Sequence, residues 1–471
     1  MAYIPTIGLE VHCELKTKNK AFSNSKNTYG LTANSEANEI DMGYPGALPT
    51  LNKEIFDFGI KCAKALNCKI NIDGYFDRKN YFYPDNSKNY QITQQDYPIG
   101  YDGYIEIEVN QMKKKIYIEE IHLEEDTAKS FHEKGLTLLD FNRSGIPLIE
   151  IVSKPNISNE IEAVLYVEKL REILSYSDIS DVKIEEGSMR CDVNVSIRKE
   201  EYDKLGHKVE IKNVGSINSI KLAILSEIER QSILFDNNEL IVEQTRKYDE
   251  KANTTILMRT KETKNDYRYF PEPDIPRVHI DDAWINSIQL LVLPDELREK
   301  YRSYGINDIG INALISNKEL NGFLNETISL GADPIISSNL LTGDILSYLN
   351  KTGVSIYNTY INPSILNRLV NKIKNDEISS KMSKVIIQKI LETGKDIDVI
   401  VKEEGLIKIT NKEELNLLIN NIINNNSNFI NSNLDNKIKL EKYIMGQVMK
   451  ETNGNADPII SLELIKEVLI K

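Results

Sequence analysis

The run Gly187-Ser-Met-Arg-Cys-Asp-Val-Asn-Val-Ser-Ile-Arg198 alternates strictly from Arg190 onward. Cys191, Val193, Val195 and Ile197 point one way; Arg190, Asp192, Asn194, Ser196 and Arg198 point the other. Period two marks a half-buried strand. Two guanidiniums, a carboxylate, an amide and a hydroxyl in one row are groups that hold phosphates and hard metal ions. Three other segments repeat the pattern. In Gly8-Leu-Glu-Val-His-Cys-Glu-Leu15, the apolar Leu9, Val11, Cys13 and Leu15 oppose Glu10, His12 and Glu14. Glu10 and His12 stand about 7 Å apart along a strand, so both can reach one ion. In Val209-Glu-Ile-Lys212, Glu210 and Lys212 share a face, and the stretch from Ile121 ends in Glu124, Glu125 and Asp126. Any one of these acids alone reads as a solvated strand face or turn. Four such segments, far apart in the chain, point to one sheet that gathers them around a divalent cation.

The elements that must position these residues fall into two styles. From Met1 to about residue 293 the chain is rich in strands, Tyr and turns, with amphipathic helices expected over 57–68, 159–174 and 217–234. Closely spaced prolines in Tyr269-Phe-Pro-Glu-Pro-Asp-Ile-Pro276 forbid a helix and favour an extended segment. After Leu293-Pro294 the alternation gives way to helical periodicity. Ser379-Ser380 precede a helix over 381–393 that ends near Gly394, and Asp457-Pro458 open the last helix. The Asn-rich run over 420–436 reads as a linker or surface segment. The expected layout is an α+β, cradle-like domain with a mixed or antiparallel sheet (1–293), an all-α helical domain (294–405) and a small all-α tail (406–471).

At 471 residues the chain exceeds one ordinary core. Its 41% hydrophobic and 27% charged content is globular. No apolar run reaches the roughly 18 residues of a membrane helix. The N-terminus lacks a signal pattern, and Cys13, Cys62, Cys68 and Cys191 lie scattered without CxxC spacing. The expectation is a cytoplasmic protein with reduced thiols. A net charge of −13 argues against a generally basic nucleic-acid binder and leaves room for a local basic groove. The sequence has neither a P-loop nor GxGxxG.

An ordered set of motifs resembles a known family. They are Gly8-Leu-Glu-Val-His12, Tyr83-Pro-Asp85, Lys88-Asn-Tyr-Gln-Ile-Thr-Gln94, His122-Leu-Glu-Glu-Asp126, Asp140-Phe-Asn-Arg-Ser-Gly145, Pro147-Leu-Ile-Glu-Ile-Val152, Gly187-Ser-Met-Arg-Cys-Asp-Val-Asn194, Glu210-Ile-Lys-Asn213, Asp266-Tyr-Arg-Tyr-Phe-Pro-Glu-Pro-Asp274 and Gly446-Gln-Val-Met449. Each is weak alone; their collinear order over nearly the whole chain is specific. The chain resembles the B-type subunits (GatB family) of the bacterial aspartyl/glutamyl-tRNA(Asn/Gln) amidotransferases.

The resemblance implies an ATP-dependent ligase working in a heterotrimer with an A-type glutaminase subunit and a small C-type subunit. Its implied substrates are misacylated Glu-tRNA(Gln) and Asp-tRNA(Asn), with no role for DNA or a membrane. The side-chain carboxylate would be phosphorylated by ATP and then amidated with ammonia from the glutaminase. By the same resemblance Glu10, His12, Glu125, Asp192 and Glu210 hold the metal and form the catalytic set. Lys79, Lys88, Arg190 and Asn194 contact ATP phosphates. The ion is Mg²⁺ or Mn²⁺, because His is an uncommon Mg²⁺ ligand. Arg143 and Ser144 are left unassigned, a tight turn sufficing to explain them. The tail from about Leu406 resembles the small domain that grips tRNA, and its Lys437, Lys439, Lys442 and Lys450 suit phosphate contacts or plain solubility. Many members of the family bind zinc through paired cysteines; Ser23, Ser25, Asn38 and Asp41 stand there instead, so no structural zinc is expected. Two rival readings are a non-catalytic tRNA-binding scaffold and an ATP-dependent ligase for a small acid.

Overall fold

The computed structural model describes residues 3–184, 186–200, 204–260, 267–406, 408–432, 436–452 and 454–470. It divides into two compact units, Met1–Pro294 and Asp295–Lys471.

The first unit is built on a nine-stranded sheet. Across it the order is Thr254–Thr260, Gln244–Asp249, Val209–Lys212, Met189–Arg198, Ile4–Glu14, Pro147–Ser153, Met112–Glu125, Gly100–Val109 and Lys69–Ile70. All neighbours pair antiparallel except Val209–Lys212 with Gln244–Asp249, so the sheet is mixed. The apolar sides of the alternating strands supply the core: Leu9, Val11, Cys13, Leu123, Ile149, Ile151, Cys191, Val193 and Ile211 are all buried together. Helices Glu54–Ala65, Glu160–Tyr176 and Ile217–Asp236 contribute Phe56, Ile60, Tyr166, Leu170, Ile220 and Ile224 to that cluster. They start within a few residues of the expected positions. Asn159 and Ser216 cap two of them by accepting from the backbone N–H groups of Glu162 and Ser219. The proline-rich segment is extended, as its prolines require. Phe270–Pro271 pairs on Asp77–Asn80, and that strand pairs in turn on Tyr90–Thr93.

The second unit is helical. Ser379 caps helix Ser380–Thr393, which stops at Gly394 in the left-handed region, φ 68°. Up to Asn425 the Asn-rich run is the exposed side of a helix and not a linker. Helix Lys412–Asn425 runs into it, because Leu415, Ile419 and Ile422 recur at helical spacing and are buried against Leu440, Ile444 and Val448. Its asparagines occupy the wet side of an amphipathic helix. No helix among the described residues is long and apolar enough to cross a membrane.

Candidate active site

The strand register converts the sequence alternation into a surface. On the polar side of the sheet Glu10 lies across from Asp192, and His12 lies across from Arg190 on one side and Glu150 on the other. Glu124 adjoins through its pairing with Leu148, and Glu210 through its pairing with Asn194. His12 is the hub. Its Nε2 lies 3.7 Å from Glu10 Oε1, 3.6 Å from Glu124 Oε1 and 3.8 Å from Glu150 Oε2. Donor atoms of Glu10, His12 and Glu150 all fall within 4.8 Å of one another.

Burial sets the charge states. It holds the His12 imidazole well below its ordinary pKa, with Arg190, Lys212 and Lys79 adding to the effect, so the ring is neutral and offers a lone pair. Burial, then Glu10 and Glu124, push Glu150 well above the usual carboxylate range. Glu124 is raised chiefly by burial. Desolvated carboxylates converging on a neutral imidazole repel one another, and a divalent cation relieves that repulsion. Oxygen donors with one imidazole nitrogen suit such an ion. The residues present therefore fit a divalent metal.

The other expected site residues sort into three groups. Asp192 and Glu210 share the face with Glu10, but both gather on Lys212 Nζ, at 2.6 and 3.3 Å. Burial opposes the Lys212 charge, yet Asp192 and Glu210 hold its proton and raise its pKa. Glu125 departs from the expectation. The alternation that turns Glu124 toward His12 turns Glu125 the other way, to the side of Leu123. There its carboxylate receives Lys88 Nζ at 2.5 and 2.6 Å and the Ile92 N–H at 3.0 Å. Lys88 goes with it, away from the hub.

Lys79, Arg190 and Asn194 remain at the face. Lys79 Nζ lies 5.0 Å from the centre of the Tyr267 ring. Burial lowers its pKa, but the fields of Tyr269, Glu124 and Glu150 prevail and raise it. Arg190 reaches Asp126 Oδ2 at 3.1 Å. Asn194 keeps a buried Oδ1 with no hydrogen-bond partner among the described residues.

Sequence reasoning missed Glu150 and assigned no site role to Lys212 or Glu124. A signal for Glu150 existed: it is the one acid inside the otherwise apolar strand Pro-Leu-Ile-Glu-Ile-Val-Ser. The four residues at the expected cysteine positions form a hydrogen-bonded knot. Asp41 accepts from Ser23 Oγ at 2.7 Å, Ser25 Oγ at 2.6 Å and Asn38 N at 3.1 Å, and it pairs with buried Lys20 at 3.1 Å.

An acid-lined sheet face with basic residues around it, joined to a helical unit, defines the class. Residues 5–286 match the GatB/GatE catalytic domain, and residues 322–469 match the GatB domain. The aspartyl/glutamyl-tRNA(Asn/Gln) amidotransferase B-type subunit of Geobacillus thermodenitrificans is 43% identical over 475 residues, covering 100% of both chains. The proteins of that name from Lactiplantibacillus plantarum and Limosilactobacillus reuteri are 44% and 45% identical, covering 99% and 100% of this chain and 98% and 99% of their own. The chain belongs to this GatB family, the B-type subunits of aspartyl/glutamyl-tRNA(Asn/Gln) amidotransferases.

Proposed function

We propose that the chain is the kinase and tRNA-binding subunit of a cytoplasmic, glutamine-hydrolysing aminoacyl-tRNA amidotransferase, acting on Glu-tRNA(Gln) and Asp-tRNA(Asn). It works with a glutaminase subunit and a small third subunit. The observation that carries this reading is the convergence of Glu10, Glu124 and Glu150 on His12, flanked by Lys79, Arg190 and Lys212. A tRNA scaffold has no use for such a face.

A carboxylate is a poor acyl donor because oxide is a poor leaving group. In the first step an oxygen of the substrate side-chain carboxylate attacks the γ-phosphorus of ATP. The bond from phosphorus to the β–γ bridging oxygen breaks, and ADP leaves with that electron pair. In the second step ammonia attacks the acyl carbon, the C–O bond to phosphate breaks, and the nitrogen loses a proton as the amide forms. Phosphoryl transfer needs chiefly positioning and charge neutralisation. Glu10, His12 and Glu150 would hold Mg²⁺ or Mn²⁺, with Glu124 beside them; when bound, that ion neutralises phosphate charge. Lys79 and Arg190 supply positive charge at the same face, and Asn194 supplies a polar group. Lys212 fixes Asp192 and Glu210 beside Glu10.

The test uses the assembled heterotrimer. ATP hydrolysis should be strongly stimulated by misacylated tRNA. Asp192→Asn should abolish amide formation while sparing tRNA binding. Loss of both together, or of neither, would remove Asp192 from the proposed machinery.

A further inference from the structure

The Arg143 turn, whose role no motif spells out, stands at the site. Arg143 Nη2 lies 2.5 Å from Asp126 Oδ2, the same oxygen that Arg190 Nη2 approaches at 3.1 Å. One carboxylate thus holds two guanidiniums together. Asp126 is itself firmly placed. Its Oδ1 accepts from Thr127 N at 2.9 Å, its backbone N–H donates to Ile146 O at 2.9 Å, and its carbonyl accepts from Gly145 N at 2.9 Å. The Arg143 turn is therefore bound to Asp126 through both backbone and side chain. Asp126 follows Glu124 by two residues, and Arg190 faces His12 across the strand pair, so the guanidinium pair borders the carboxylate hub.

The two guanidiniums are more exposed than the carboxylate that holds them. The Asp126 side chain keeps 5% of its surface exposed, whereas Arg143 and Arg190 keep 26% and 42%. Each guanidinium has five N–H donors, and the shared oxygen engages one nitrogen of each. Glu14 Oε1 lies 3.8 Å from Arg143 Nε, longer than a hydrogen bond. The donors that the shared oxygen does not engage, on two side chains more exposed than the carboxylate between them, suit an oxyanion. Lys88, another cation expected to contact phosphate, is committed to Glu125.

We propose that Arg143 binds an oxyanion of the transferred phosphoryl group or of the carboxylate that receives it, paired with Arg190, and that Asp126 is the positioning residue for both. The proposal rests on the phosphoryl-transfer reading above. Planar guanidiniums match the geometry of either oxyanion, and a lysine at the same place would supply charge without the fork.

The full chain, assembled with its partner subunits, carries the test in wild-type, Arg143→Ala, Arg143→Lys, Asp126→Asn and Asp126→Glu forms. ATP binding is measured by equilibrium dialysis, and KM and kcat for ATP and for misacylated tRNA are measured separately. Losing a charge-assisted pair should weaken Arg143→Ala for its anion by roughly 10- to 100-fold. Arg143→Lys should fall between. Millimolar guanidinium should restore part of the Arg143→Ala rate, and Asp126→Glu should recover part of what Asp126→Asn loses. A rise confined to the ATP constants assigns the donor phosphate to Arg143, and a rise confined to the tRNA constants assigns the acceptor carboxylate. Unchanged constants in Arg143→Ala would overturn the proposal. So would a loss that guanidinium does not restore and that accompanies a lower unfolding temperature. A wild-type complex without tRNA-stimulated ATP cleavage would instead defeat the underlying function.

Discussion

A strand turns successive side chains to opposite faces, so Glu124 and Glu125 meet different surroundings although they are neighbours in sequence. Glu124 adds to the His12 hub, whereas Glu125 closes on Lys88 and the Ile92 N–H. A motif reading treats the two acids as a unit; the pleat does not. A second residue pair carries a pH dependence. Asp457 accepts from Ile459 N and Ile460 N at the start of helix Pro458–Ile470, and it receives Lys408 Nζ at 2.8 Å. Burial works to raise the Asp457 pKa, but Lys408 and the two N–H groups outweigh it, and the pKa is lowered. The stabilisation is then complete above the ordinary carboxylate pKa of about 4 and is lost as pH falls through the lower folded value. Asp457→Asn keeps the cap and removes the charge, so at pH 7 it should cost about 1 kcal/mol or less. The measurement is hydrogen-exchange protection of Pro458–Ile470 between pH 7 and pH 3. Wild type should lose protection in acid, and the variant should start lower and lose less. An identical acid loss in both would contradict the assignment.

Whole segments show what supports the site. The loop around Lys20 and the loop around Asp41 meet in a buried ion pair, with side-chain exposures of 0% and 2%. Lys20 Nζ also donates to Glu36 O and Phe141 O, and Ser144 Oγ donates to Asp41 O. Gly145 lies so close to the pair that a Cβ there would come within 3.0 Å of Asp41 Oδ1. At φ +79° it also takes a left-handed conformation that favours glycine. The knot therefore anchors the turn that carries Arg143. Asp41→Ala would strand a buried ammonium and should destabilise the fold by about 3–5 kcal/mol. Replacing both partners, Lys20→Met with Asp41→Leu, should recover only the part due to the unpaired charge, because Ser23, Ser25 and the Asn38 N–H still lose their acceptor, as read from denaturant unfolding of the full chain. A wild-type midpoint for Asp41→Ala would show that the pair does not anchor these loops.

Legibility differed between elements for physical reasons. The strands Ile4–Glu14 and Met189–Arg198 were readable because one face is buried and the other polar, so period two survives in the sequence. Glu150 was hidden because its strand is apolar almost throughout and a single acid does not make an alternation. The meeting of Arg143 with Arg190 depends on Asp126, which lies 64 residues from Arg190 in the chain and reaches it only through cross-strand register. Lys212 lay in plain view on a polar face, yet which carboxylates it would hold was not encoded locally. In the helical unit, asparagines masked a buried isoleucine stripe that includes Ile419 and Ile422.

At the scale of the molecule, the proposed function asks a chain of net charge −13 to act on two polyanions, ATP and tRNA. In the first unit Lys79, Arg190 and Lys212 stand at the face of the metal-suited hub, with Arg143 held to Arg190 through Asp126. The proposed function depends on that hub binding a cation through Glu10, His12 and Glu150. Its most direct test is Mn²⁺ binding to the full chain, followed by electron paramagnetic resonance, in wild type, Glu150→Gln and Glu125→Gln. The expected result is a site in wild type that weakens by roughly tenfold or more in Glu150→Gln and persists in Glu125→Gln. Binding that survives Glu150→Gln but is lost in Glu125→Gln would place the ion on the other side of the strand and contradict the site described above.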